Sequence, residues 1–325
     1  MSFLKSFWAL SLLCLVSLTA CFKDEKPIAR RDRGGVSYNK VEMGTSYDQQ
    51  VYFSLQTNQA VLTLNKYDWD LGLCANAGQP YIYLNTSKSM VAWKTGYTSF
   101  AEVKDTFGKT NEKLIDYPSG TPDSLALKGL LNSGFVYIVD MGYESDATRA
   151  DVLLLKASAS SKYFVIESAK VDGTSYRRDT VSFDPLRKNL LFAIRSGKLT
   201  PEPADLSWEL LFAQYQHVYY DPFQTYSVAG CIINTAVVTA AEYKGNKTFD
   251  NVVIQDTTGA GFSGFKNAIG FDWKSYNLNS GQYLIHPEKT YLIKQATGKV
   301  YKLHFIGFYN SSGLKGTPSF EFQEL

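Results

Sequence analysis

Two stretches of this chain follow one plan, and any fold must accommodate both. Gly35-Val36-Ser37-Tyr38 returns as Gly173-Thr174-Ser175-Tyr176, an offset of 138 residues (173 − 35). Trp69-Asp70-Leu71 returns as Trp208-Glu209-Leu210, an offset of 139 (208 − 69). "YIVD" from Tyr137 then lies over "YLIK" from Tyr291, and "YFVIESA" from Tyr163 over "SFEFQEL" from Ser319. The anchors keep their order, as they would in a duplicated module whose second copy gained residues after its tryptophan. The expected domains are 35–172 and 173–325, each near the usual domain size.

Within each unit the pattern is that of strands. "VYFSL", "AVLTL", "YIYLN", "FVYIVDM", "DVLLLKA" and "KYFVIE" are short β-branched or aromatic runs. The second unit offers "NLLFAI", "CIINTAVVTA", "NVVIQ", "TYLIK", "KVYKLHF" and "SFEFQ". "TYLIKQATGKVYKLHF" reads as a hairpin turning at Ala296-Thr297-Gly298. Helical periodicity is confined to "SFAEVKDTF" and "DSLALKGLLNSG". The expected class is all-β: two tandem antiparallel β domains with few short helices. Each tryptophan is expected to plug the core of its own domain, with ligand stacking as the other reading. Met43, Met90 and Met141 read as strand filling.

The N-terminus is a processing signal. "MSFLKSFWALSLLCLVSLTAC" has one charge at Lys5, an apolar run, and Leu18-Thr19-Ala20-Cys21. It resembles a bacterial lipoprotein signal, which assigns residues 1–20 to the leader and makes Cys21 the lipid anchor. Residues 21–34, charged and containing Pro and Gly, read as a flexible tether. Asp24 and Glu25 resemble the surface-export signal of Bacteroidota lipoproteins, so the expected place is the outer membrane, on the cell surface or the periplasmic face. Cys74 and Cys231 remain, in a compartment that permits a disulfide without the spacing requiring one. The chain carries 33 Lys and Arg against 31 Asp and Glu, so no basic face for nucleic acid is expected.

With these features in place, "DLSWELLFAQY" and the run from "GFDWKSYNLNSGQYLIHPEKTYLIKQATGKVYKLHF" to the C-terminus resemble the HmuY family of Bacteroidota lipoproteins. The resemblance covers most of 173–325; residues 35–172 carry the tryptophan block and a blurred version of the ending. It implies a haemophore-like β fold, haem captured at the cell surface, and transfer to a TonB-dependent outer-membrane receptor. It also implies two histidine ligands from loops of the C-terminal half. The first loop should fall in 242–262, which has neither His nor Met. The second should fall in 273–281, where Tyr276, Asn277 and Leu278 stand in the region of the family histidine.

The family ligands therefore do not carry over. Haem iron also accepts Met, Cys or Tyr, and the candidates become His217 in "AQYQHVYY", His286 in "LIHPEK" and, more weakly, Tyr276. His304 alternates with Lys302 on what reads as the solvent face of its strand. No secure metal site follows. The function expected is lipid-anchored haem or porphyrin binding; the alternative is a non-haem surface interaction or structural lipoprotein of the same fold. Homo-oligomerisation around a shared ligand is compatible with either.

No enzyme is expected. "GAGFSG" at 259–264 fits a dinucleotide pattern, but no βαβ context surrounds it, and it reads as a loop. Asp68, Asp70, Asp205 and Glu209 cluster around the tryptophans and read as solvated strand ends.

Overall fold

The described chain runs as a succession of antiparallel strands, some alternating between buried and exposed residues and others, such as Leu71–Cys74 and Tyr137–Asp140, buried on both faces. The computed structural model describes residues 34–75, 78–105 and 112–325. The expected leader, Cys21 and all of the tether except Gly34 lie outside the described residues. The first strands are β1 (Ser37–Lys40), β2 (Gln49–Ser54), β3 (Gln59–Asn65), β4 (Leu71–Cys74) and β5 (Tyr81–Leu84). Next come β6 (Val91–Lys94), β7 (Tyr137–Asp140), β8 (Val152–Ala159), β9 (Tyr163–Lys170) and β10 (Arg177–Ser182). Then follow β11 (Asn189–Phe192), β12 (Leu199–Pro201), β13 (Leu210–Tyr220), β14 (Phe223–Ile233) and β15 (Val238–Glu242). The last are β16 (Lys274–Asn277), β17 (Gln282–Ile285), β18 (Thr290–Gln295), β19 (Val300–Tyr309) and β20 (Lys315–Glu324). The all-β antiparallel class is as expected, and β18–β19 is the hairpin that the alternation around Thr297-Gly298 indicates.

The sheets combine strands in two matching sets. One five-stranded sheet has the order β10-β9-β8-β7-β6 and the other β1-β20-β19-β18-β15. The four-stranded sheets run β12-β11-β4-β5 and β14-β13-β2-β3. A small hairpin, β16-β17, stands apart. Replacing each strand of one set by its counterpart in the repeat gives the other set, the offset growing from 139 at Trp69 and Trp208 (208 − 69) to 154 at Tyr137 and Tyr291 (291 − 137).

No sheet ends at the 172/173 boundary that the sequence suggests: β9 and β10 pair across it, Ser168 opposite Arg177. β1 pairs instead with β20, Ser37 opposite Phe322. Likewise β2 pairs with β13, and β4 with β11. The first strand of each half thus closes a sheet of the other. One pair of sheets lies wholly within residues 71–201, and the other draws on 37–65 and 210–324. The apolar clusters divide the same way. One holds Leu71 to Ile194, and the other Val41 to Leu55 together with Leu210 to Phe322. Both belong to one compact unit, 34–325.

The tryptophan blocks stitch these halves together. A single 3₁₀ turn, Lys66–Asp68 or Asp205–Ser207, delivers each indole in extended backbone ahead of β4 or β13. Asn85 Nδ2 donates to the carbonyls of Lys66 and Trp69, at 2.7 and 2.9 Å. Asn234 does the same for Asp205 and Trp208, at 2.8 and 3.0 Å. The acid that follows each indole reaches across the chain. Asp70 accepts from the backbone N–H of Ile194 at 2.8 Å, and Glu209 from that of Leu55 at 2.7 Å. Both carboxylates are buried, which corrects the solvated reading given to them. Burial is affordable because each has partners: Lys88 Nζ at 2.7 Å for Asp70, and Gln295 Nε2 at 2.6 Å for Glu209.

Three further expectations change. Trp69 and Trp208 do not plug separate cores; they share one buried cluster at the seam, with Tyr52, Tyr83 and Leu211. "DSLALKGLLNSG" is a run of isolated turns joined by i→i−3 bonds, such as Leu130 N–H to Leu127 O at 2.9 Å. Gly129 weakens a helix there, while Leu127 and Leu130 are wholly buried. "NVVIQ" is not a strand, since 3₁₀ turns at Phe249–Asn251 and Ile254–Thr257 wrap it over β19. Lys302 explains that wrap. Its alternation suggests solvent, yet it is 2% exposed, and its Nζ donates to the carbonyls of Phe249, Asp250 and Val252 at 2.8–3.1 Å. Met43, Met90 and Met141 are buried, but each lies just outside a strand rather than within one: Met90 directly before β6, Met141 directly after β7, and Met43 between β1 and β2.

Candidate functional site

The long ribbon β13–β14 carries the first candidate, His217, opposite Tyr226. Its ring packs against Phe271 and Tyr219, each centroid 4.8 Å away. Burial lowers its pKa below the usual imidazole value, so the neutral form that ligates metals is favoured. Nδ1 is buried without a hydrogen-bond partner. Around the ribbon tip, Tyr219, Tyr220, Phe223 and Tyr226 all lie exposed.

Tyr276 and His286 belong to the β16–β17 hairpin and its exit. Tyr276 is 53% exposed and meets Tyr283 edge-on at 5.1 Å. His286 Nε2 lies 3.0 Å from Ser275 Oγ, and Nδ1 lies 3.4 Å from Glu288. Ser275 and Tyr276 are adjacent on one strand, so their side chains leave opposite faces. His286 and Tyr276 are thereby separated by the hairpin itself. His217 has a third set of neighbours, and the three candidates do not form one ligand set. Among the described residues no group of three or more His, Cys, Asp or Glu side chains could hold a metal ion.

The regions expected to supply the family ligands have other uses. Residues 242–262 run over β18 and β19 under the grip of Lys302. Residues 273–281 form the first arm and tip of the small hairpin, where Leu278 is 87% exposed. His304 is stacked flat on Phe249 at 4.0 Å, with Nε2 3.0 Å from Glu321. It is a structural histidine beneath that wrap.

A second site lies at the seam, where a cavity of about 240 Å³ opens between the two four-stranded sheets. Tyr52, Tyr83, Trp69 and Trp208 supply aromatic walls, and Glu202 supplies a buried carboxyl. Tyr52 Oη donates to Glu202 Oε1 at 3.1 Å, and Asn189 Nδ2 to Oε2 at 3.0 Å. Desolvation pushes the Glu202 pKa up against the pull of Lys266. Gly72 makes room for one wall: a Cβ there would fall inside the Tyr83 ring, 1.9 Å from Cζ. Cys74 also lines this cavity, and Cys231 is buried elsewhere; no disulfide joins them. Sequence reasoning missed Glu202 and Asn189 because nothing in "TPEPAD" or "RKNLLF" marks either as facing a cavity.

Several solved structures are similar to this chain. One is apo PinO from Porphyromonas gingivitis, at 8% identity and a TM-score of 0.35, covering 90% of this chain and 98% of that one. Another is the apo HmuY analog (TFO) from Tannerella forsythia, at 12% identity and a TM-score of 0.24, with the same coverage. No curated protein matches the sequence significantly. A family model described as HmuY protein matches residues 46–322, spanning both sets of sheets, and on that match the chain belongs to the HmuY family.

Proposed function

We propose that this chain is a lipid-anchored protein that binds haem or a related porphyrin for haem acquisition at the outer membrane. The carrying observation is the family match over 46–322, since the HmuY family is a haem-binding, non-enzymatic one. The anchor is Cys21, and the receiving partner is a TonB-dependent receptor. The bland aromatic edge around His217 supports the reading, because it offers flat apolar surface beside one neutral imidazole. His217 is the ligand on this reading, with Tyr276 and His286 as weaker candidates. The matching strand orders support an ancestral duplication in which the two copies exchanged their leading strands.

The absence of His and Met from 242–262 favours one alternative, a non-haem interaction lipoprotein of the same fold. Haemin titration of purified residues 22–325 separates the two. The expected result is a Soret band that saturates at micromolar haemin. His217→Ala should weaken binding at least roughly tenfold, and His286→Ala should leave it unchanged. No spectral change at micromolar haemin would leave the interaction protein as the function.

A further inference from the structure

The two halves treat their tryptophans differently, and the difference lies at the seam cavity. On one side Trp69 Nε1 donates to Gln50 Oε1 at 2.8 Å. Moving 139 residues along the chain from this pair gives Trp208 and Asn189. Here the amide is one methylene shorter. Asn189 turns its Nδ2 to Glu202, and its Oδ1 is left buried with no hydrogen-bond partner. Trp208 Nε1 is likewise buried and unpartnered, in a residue only 5% exposed. A donor and an acceptor that are paired in one half are thus both vacant in the other, and both residues line the same cavity.

Buried polar groups in native proteins nearly always find partners. A single hydroxyl can satisfy both atoms, accepting from Trp208 and donating to Asn189. Water could do so too, but the space is far larger than that, with room for roughly eight waters. Its surroundings are those of a small hydroxylated ring. Tyr52 and Trp208 meet edge to face at 4.8 Å and form one apolar wall. Glu202 offers carboxyl oxygens, and Lys266 Nζ lies 3.9 Å from the centre of the Tyr83 ring. The facing charges are Glu202 and Asp116 against Lys266 and Lys188, which balance and so favour an uncharged ligand. Exposed Lys188 and Thr235 among the lining residues give the cavity a mouth.

We propose that this cavity is a binding site for a neutral monosaccharide-sized polyol, with Trp208 and Asn189 sharing one of its hydroxyls. The site is separate from the His217 edge and does not depend on haem binding.

Saturation-transfer NMR on residues 22–325 with glucose, galactose, mannose and N-acetylglucosamine at millimolar concentration tests it. At least one sugar should give transfer, quench tryptophan fluorescence and saturate. Asn189→Gln should restore the bond that Gln50 makes with Trp69, filling the gap. It should weaken that sugar at least roughly tenfold, while its urea midpoint stays at or above that of the parent. Trp208→Phe, which keeps a ring but removes the N–H, should weaken binding similarly. The proposal is overturned if none of the four sugars gives transfer with the folded parent, or if Asn189→Gln binds as the parent does. It is also overturned if crystals soaked in the sugar show only ordered water on Trp208 Nε1.

Discussion

Relative to Lys274→Met, the parent protein should gain about 2 kcal/mol of stability between pH 7 and pH 9. Lys274 is buried at the start of β16, and its Nζ donates to the carbonyl of Ala229. Its Nζ also lies 4.1 Å from the Trp273 ring centre and 4.7 Å from that of Phe308. Burial takes its pKa down to about 7, against the pull of Asp272. The unfolded chain holds this proton until about pH 10.4. Between those values the unfolded state binds more protons than the folded one, so stability rises with pH. Below pH 7 the ammonium is charged in both states, and the folded protein bears the full cost of burying it. There the methionine variant should be the more stable protein. Cys231, whose thiol pKa burial pushes well up, opposes the trend above about pH 8.5 but acts alike in both proteins. Urea unfolding of the pair at several pH values reads the difference directly. Parallel curves would mean that Lys274 titrates as a solvated lysine.

Lys88→Met should cost about 3–5 kcal/mol, because it strands the Asp70 carboxylate without a counter-charge. The pair is closed off from solvent on both sides, at 4% and 8% side-chain exposure, and separated by 2.7 Å. Asp70 also accepts from Ile194, so its loss would strip a partner from backbone 124 residues away in sequence. Asp70→Ala should therefore be as damaging, leaving both the ammonium and the Ile194 N–H unsatisfied. The double variant Asp70→Leu with Lys88→Met should recover a large part of the loss, since the charge is then removed from both partners. Additive losses in the double variant would show that the two side chains act independently. Glu209 meets the same demand in the other half without a lysine, through Gln295 and Leu55.

The local content of the fold was legible because strand alternation and turn residues are local signals. The β18–β19 hairpin follows from them, and so does the all-β class. Pairing was not legible. The apolar run marks β2 as a buried strand, but not that its partner is β13 and lies in the other half. Lys302 shows the same limit at one residue: its position in the alternation suggests solvent, and only the 249–257 wrap, absent from the pattern, buries it. At the sites, the repeat pointed to Trp69 and Trp208, and a single methylene between Gln50 and Asn189 decides their different hydrogen bonding. His217 was found by residue type alone; its neutral state comes from burial that no spacing reveals.

Everything here hangs on the exchange of strands between the two halves, and cutting the chain in two ways addresses it. Residues 66–205 contain both of their sheets entire, whereas residues 35–172 lack β20, β13 and β11, the strands that pair with β1, β2 and β4 from the other half. Expressed alone, 66–205 should give a dispersed amide spectrum and a cooperative melt, and 35–172 should give neither. A cooperative 35–172 beside an unfolded 66–205 would mean that each repeat closes on itself and that no strands are exchanged.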